Sequence, residues 1–119
     1  MPPAPALSAL ADRVSRHFAA KKIPTETRRM MGGVVFMVRG KMCVGVESHR
    51  LMARIGPDAE AAALKRAGCR PMNFTGRPMK GFVFVDAASL RTARQLGSWL
   101  DLALAFNPEA RSARRARHG

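Results

Sequence analysis

The order of hydrophobic periods along this 119-residue chain predicts an α+β domain with two layers, an antiparallel sheet of about five strands and three helices, arranged α-βββ-α-ββ-α. Three observations carry the prediction. Residues 34–38 and 82–85 are apolar at every position, the pattern of strands covered on both faces. Stripes of helical period lie near both ends of the chain. Glycine and proline punctuate the stretches between them at the intervals of turns.

Taken in order, residues 1–6 are a Pro/Ala leader expected to be disordered. Leu7, Leu10, Val14 and Phe18 then form a helical stripe, with Asp12, Arg13 and Arg16 off it. Ser8 is the candidate N-cap, and Lys21, Lys22 and Pro24 close the helix, because cations suit its negative end and proline cannot continue it. Residues 34–38 and 42–46 read as a hairpin turning at Arg39, Gly40 and Lys41. After a second turn at residues 47–50, Leu51, Ala53 and Ile55 alternate with Met52 and Arg54, giving a third strand.

The middle helix starts at Pro57, where the missing N–H is harmless, with Asp58 and Glu60 at its positive end and Lys65 and Arg66 at its negative end. Gly68 is its stop. The interior is alanine-rich with Leu64 its one large apolar residue, which predicts a short helix packed closely and shallowly. Residues 72–74 read as a brief edge strand, 76–81 as a glycine- and proline-bearing turn, and 82–85 as the last strand. Asp86 or Ser89 can cap the final helix, whose buried face is Leu96, Trp99, Leu100, Ala103 and Phe106. Pro108 ends it. The expected folded domain is 7–106, followed by a basic, disordered tail at 107–119.

Charge bounds the partners. Lys and Arg number 21 against 8 Asp and Glu, a formal net charge of +13, which is the balance of a polyanion binder. Sixteen of those cations are arginine, a bias that GC-rich coding produces by itself, and they are dispersed. The one compact cluster is Arg111, Arg114, Arg115 and Arg117 with His118. No stretch approaches the roughly 18–20 apolar residues of a membrane span, and the first residues lack a secretory pattern. The expectation is a cytoplasmic protein without membrane contact, in which Cys43 and Cys69 are unpaired thiols.

Two blocks now combine with the element order: Arg29-Met30-Met31-Gly32-Gly33 and Phe74-Thr75-Gly76-Arg77-Pro78-Met79-Lys80-Gly81. With the turn at Gly40-Lys41-Met42, the segment 51–56, and Leu96 and Trp99 in the final helix, the chain resembles the N-terminal domain of the TfoX family, named for bacterial regulators of competence (DNA uptake) genes. The resemblance covers roughly residues 7–106, and the 76–81 block is its most specific part. It implies a stand-alone copy of that domain, a tendency to dimerise, a role in transcription regulation, and no known enzymatic activity.

The residues themselves agree with a non-enzyme. Gly76 and Gly81 have the spacing of a phosphate loop, but Phe82 and Val83 follow where Lys and Ser or Thr are required, and the run leads into a strand rather than a helix. His17, His49 and His118 offer no metal-ligand spacing, and no carboxylate pair suits acid–base work. Cys43 would need His17 or His49 beside it to act as a nucleophile, whereas a strand interior favours a packed thiol. No cofactor is expected.

Three function classes follow. The leading one is a regulatory interaction domain acting by protein–protein contact, with a regulatory protein partner and a homodimer seam among the strand methionines, of which Met30, Met31, Met37 and Met79 are the candidate interface residues. The second is a weak, sequence-blind nucleic-acid binder using Arg28, Arg29, Arg77, Lys80, Arg111, Arg114, Arg115 and Arg117. The third is a small-anion protein or enzyme centred on Arg77 and Lys80, where free backbone N–H groups would assist.

Overall fold

Alternation along the strands sorts the sheet into two faces of different character. The computed structural model describes residues 5–30, 32–47, 50–74 and 77–110, with the side chains at 5–8, 30, 73, 74, 77 and 78 set aside. The elements are α1 (Pro5–Ala20), β1 (Glu26–Met30), β2 (Gly33–Val38), β3 (Lys41–Glu47), β4 (Arg50–Arg54), α2 (Pro57–Leu64), β5 (Cys69–Phe74), β6 (Arg77–Asp86) and α3 (Ala93–Phe106). All strand pairs are antiparallel, in the order β1-β2-β3-β4-β6-β5. The α+β class, the three helices and the antiparallel sheet match the sequence reading.

The register explains the core. Two rows run straight across the sheet: Thr27, Phe36, Val44, Ala53, Val83 and Pro71, and then Arg29, Val34, Val46, Leu51, Val85 and Cys69. Their central members pack against Leu10, Val14 and Phe18 of α1, Ala63 of α2, and Leu96, Trp99, Leu100 and Ala103 of α3. Of the predicted stripes, Leu10, Val14, Phe18, Leu96, Trp99, Leu100 and Ala103 are buried, Phe106 is half-buried, and the Leu7 side chain is not described. Arg66 lies 3.8 Å over the Trp99 ring and donates to Ser98, closing the far side of that core.

Five details depart from expectation. The sheet has six strands, because residues 26–30 form β1 although their sequence, Glu-Thr-Arg-Arg-Met, shows no apolar alternation. Pairing with β2, not burial, makes this segment a strand. Residues Pro5 and Ala6, assigned to the leader, are helical, and Ser8 lies inside α1; proline needs no partner for an N–H in a first turn. The segment 77–81 is the start of β6 rather than a turn, since Phe74 pairs with Arg77 across the β5–β6 ladder.

The final helix is capped by Thr92, not by Asp86 or Ser89. Thr92 Oγ1 accepts from the Gln95 N–H, and the Gln95 side chain accepts from the Thr92 N–H, each at 3.0 Å, so two otherwise unpaired donors are satisfied at once. Lastly, the described structure continues past 106. Asn107–Glu109 form a 3-10 turn, and Asn107 is 1% exposed. Its side chain donates to the Val38 carbonyl and accepts from Arg39, both at 3.0 Å, while Lys41 Nζ reaches the carbonyls of Asn107 and Pro108 at 3.3 Å. The rest of the predicted tail, 111–119, lies outside the described residues.

A polar clasp joins α1 to α3. Asp101 Oδ1 accepts from His17 Nε2 at 2.9 Å and from Lys21 Nζ at 3.2 Å. Burial alone would raise the Asp101 carboxyl, but the hydrogen bonds and charges of His17 and Lys21 outweigh it and hold the group below its ordinary range. A depressed folded pKa stabilises above the unfolded value, near pH 4, and that contribution is lost as pH falls through the lower folded value. Half-exposure of the carboxylate keeps it below about 1 kcal/mol. Asp101→Asn is therefore expected to melt slightly below the parent protein at pH 7, with the gap closing in strong acid. A gap constant from pH 7 to pH 2 contradicts this.

Candidate interaction surface

The other face of the sheet carries no helix among the described residues. Its central row is Arg28, Val35, Gly45, Met52, Phe84 and Arg70, one residue from each strand in sheet order. Met52, Met72 and Phe84 form a cluster separate from the main core, with Met42, Met79 and Phe82 packed against it. Val35, Met52, Met72 and Phe84 are 6–8% exposed, and among the described residues no helix covers them. Arg50 lies 3.6 Å over the Phe84 ring and Arg54 lies 5.3 Å over Phe82. Arginine stems cover apolar surface while the charged heads stay wet.

The rim of this face is nearly neutral. Strand alternation places Arg28, Arg50, Arg54 and Arg70 on it, together with Glu26, Glu47 and Asp86. The carboxylates each take one arginine: Arg50 to Glu47 at 2.6 Å, Arg70 to Asp86 at 3.2 Å and Arg28 to Glu26 at 3.3 Å. Among the described residues four cations thus face three carboxylates, an excess of one on a chain of +13. The unbalanced charge belongs to the rest of the molecule. A surface with an apolar centre and a self-paired polar rim is built as a protein interface is.

The sequence-predicted residues divide accordingly. Met37 and Met42 are paired neighbours on this face, and Met79 packs on its central cluster. Met30 sits at the end of β1 with its side chain not described, and Met31 lies outside the described residues. Of the centre of the surface, Val35 and Phe84 are absent from the sequence-based candidates, and Met52 and Met72 are among the strand methionines without being singled out. The signal for Met52 was present: arginine at 50 and 54 flanks it at the same parity, while Leu51 and Ala53 take the other.

The candidate anion contacts do not converge. Arg28 and Arg29 lie on β1, facing opposite sides, whereas Arg77 and Lys80 lie on β6, four strand spacings or roughly 19 Å away. Lys80 is exposed, and the Arg77 side chain is not described. The Gly81 N–H, which would have assisted an anion, donates to the Glu60 carboxylate instead. Arg111, Arg114, Arg115 and Arg117 lie outside the described residues.

Nothing described assembles a reaction centre. Burial pushes the Cys43 thiol up to about 12 against the opposing pull of Arg39 and Arg54, so it stays protonated and inert. Cys69 is also raised, again by burial, and neither cysteine is in a disulfide. His17 is committed to Asp101, and His49 lies outside the described residues. No group of His, Cys, Asp or Glu among the described residues has the arrangement to hold a metal ion, and no described helix is long and apolar enough to cross a membrane.

Comparison with known families matches the chain to the TfoX N-terminal domain, over residues 18–107. No curated protein and no solved structure matches the chain.

Proposed function

Because the chain belongs to the TfoX N-terminal domain family, we propose that it is a non-enzymatic regulatory domain that acts by protein–protein contact and pairs with a second copy of itself through the helix-free face of the sheet. The observation that carries this reading is the apolar centre of that face, Val35, Met52, Met72 and Phe84, bordered by three arginine–carboxylate pairs. Two chains of +13 repel at long range, so a self-contact needs a patch where charge is balanced. This face has that balance. Methionines adapt their shape to the surface they meet, which suits a seam used by more than one partner. The family supports a regulatory role of the competence type, exercised in the cytoplasm on transcription.

A pull-down from the native host, with the full chain and with Met42→Glu as baits, tests the reading. Met42 is half-buried at the border of the cluster, so a carboxylate there spoils the apolar centre without entering the main core. Partners recovered by the parent chain and lost with Met42→Glu are the expected result. Equal recovery by both baits, or recovery that follows residues 111–119 instead, removes the sheet face from the function.

A further inference from the structure

The sheet has two edges, and they are unlike. We infer that the outer edge of β1 accepts an extended, acidic segment of a partner protein as an added strand. This site shares Arg28 with the helix-free face proposed above but lies along the strand's edge, and it does not depend on pairing through that face.

The far edge, β5, is closed to such an addition. Pro71 brings no N–H, and the β5–β6 ladder shifts register between Pro71 and Asn73, which bends the strand. β1 has neither defect. It pairs with β2 at five successive positions without a shift, from Glu26 with Met37 to Met30 with Gly33. A regular antiparallel strand turns the N–H and C=O of every second residue away from its one neighbour, and these are the groups an incoming strand uses. Residues 26–29 are all exposed, so nothing described covers that edge. The entry to β1 is anchored, since the Ile23 N–H donates to the Phe18 carbonyl at 2.9 Å and Ile23 packs on the core.

Charge selects the occupant. Arg28 points to the helix-free face and Arg29 to the helical side, because their row partners Val35 and Val34 do so. An added strand therefore meets one guanidinium on each of its faces. Glu26 engages Arg28 at 3.3 Å with both side chains more than half exposed, a contact that a carboxylate from outside can share. A second copy of β1 paired along its full length would set Arg28 against Arg28 on a chain already at +13, whereas a segment with carboxylates on both faces is matched at both. The same two arginines that keep the edge from pairing with itself admit an acidic chain. Main-chain hydrogen bonds supply the attachment and the alternating carboxylates supply the selection.

The test uses the full chain and a fluorescent eight-residue peptide of valine and glutamate with glutamates on both strand faces, alongside the same peptide N-methylated at every second amide. Binding by anisotropy, together with slowed amide exchange in residues 26–30, is expected for the first peptide. The methylated peptide should bind at least about tenfold more weakly, since it loses two or more backbone hydrogen bonds. Arg28→Glu and Arg29→Glu, both at exposed positions, should each weaken binding about three- to tenfold. Met42→Glu should leave it unchanged, which separates this site from the helix-free face. Equal binding of both peptides means attraction by charge alone and overturns the inference. So does the absence of binding at millimolar peptide, exchange protection elsewhere in the chain, or protection of β1 by self-association before peptide is added.

Discussion

Gly56→Ala is expected to lower the free energy of unfolding by about 4 kcal/mol, the sum of a strained backbone and an overfilled site. Gly56 has φ 89° and ψ 155°, a region that residues with a Cβ scarcely enter. It is also buried, and a methyl group built on it would overlap the Phe106 ring. The position cannot relax easily, because it is one half of a junction. The N–H groups of Ile55 and Gly56 both donate to the Gly81 carbonyl, at 2.9 and 3.1 Å. Gly81 itself has φ 88°, and a Cβ there would come within 3.1 Å of the Gly56 and Pro57 backbone. This is where β4 hands over to α2 while β6 passes beneath, with Glu60 of α2 holding the Gly81 N–H. At about 4 °C per kcal/mol for a domain of this size, the melting temperature should fall by roughly 15 °C. Gly81→Ala should act in the same direction by about 3 kcal/mol. A loss under about 1 kcal/mol in denaturant titration of either variant would show that the junction yields, and the geometry would lose its claimed role.

Asn107→Leu should cost about 3 kcal/mol, although leucine has a similar volume and is the more apolar of the two. Asn107 is the one buried polar residue among the described residues, and its amide is used at both ends. Its nitrogen satisfies the Val38 carbonyl and its oxygen receives Arg39, so it ties the end of α3 to the β2–β3 turn. Leucine leaves the Val38 carbonyl unpaired, a loss of about 1–3 kcal/mol, and its branched end does not fit a flat amide site. Asn107→Asp keeps the acceptor for Arg39 and loses the donor to Val38. It should therefore fall between the parent and Asn107→Leu at neutral pH. If leucine proves neutral or stabilising, the clasp contributes nothing and the domain ends at 106 as the sequence suggested.

Both predictions fall where reading the sequence alone was weakest, and for a shared physical reason. Local periodicity reveals elements that bury their own side chains, which is why the 41–47 and 50–54 strands and the faces of α1 and α3 were legible. β1 buries almost nothing; it is a strand because β2 offers it a ladder, and that partner is remote from the Glu-Thr-Arg-Arg-Met sequence. Asn107 precedes Pro108 and so looks like the debris of a helix stop, while its partners Val38 and Arg39 lie 69 and 68 residues away. The glycines at 76 and 81 read from the sequence as a turn, and the packing of Gly81 against Gly56 became visible only with β6 in place. Of the candidate surface, the gathering of methionines near strands was visible. Which of them share a face required the register, and so did the balance of charge on that face.

We propose that the helix-free sheet face joins two copies of this chain. Sedimentation velocity at micromolar concentration and physiological salt decides whether it does, run on the parent chain and on Met42→Glu, with near-ultraviolet circular dichroism of Trp99 confirming that both are folded. A species of twice the 13.0 kDa chain mass is expected for the parent and a 13.0 kDa species for Met42→Glu. A parent protein that sediments at 13.0 kDa throughout, or a Met42→Glu variant that stays paired, contradicts it.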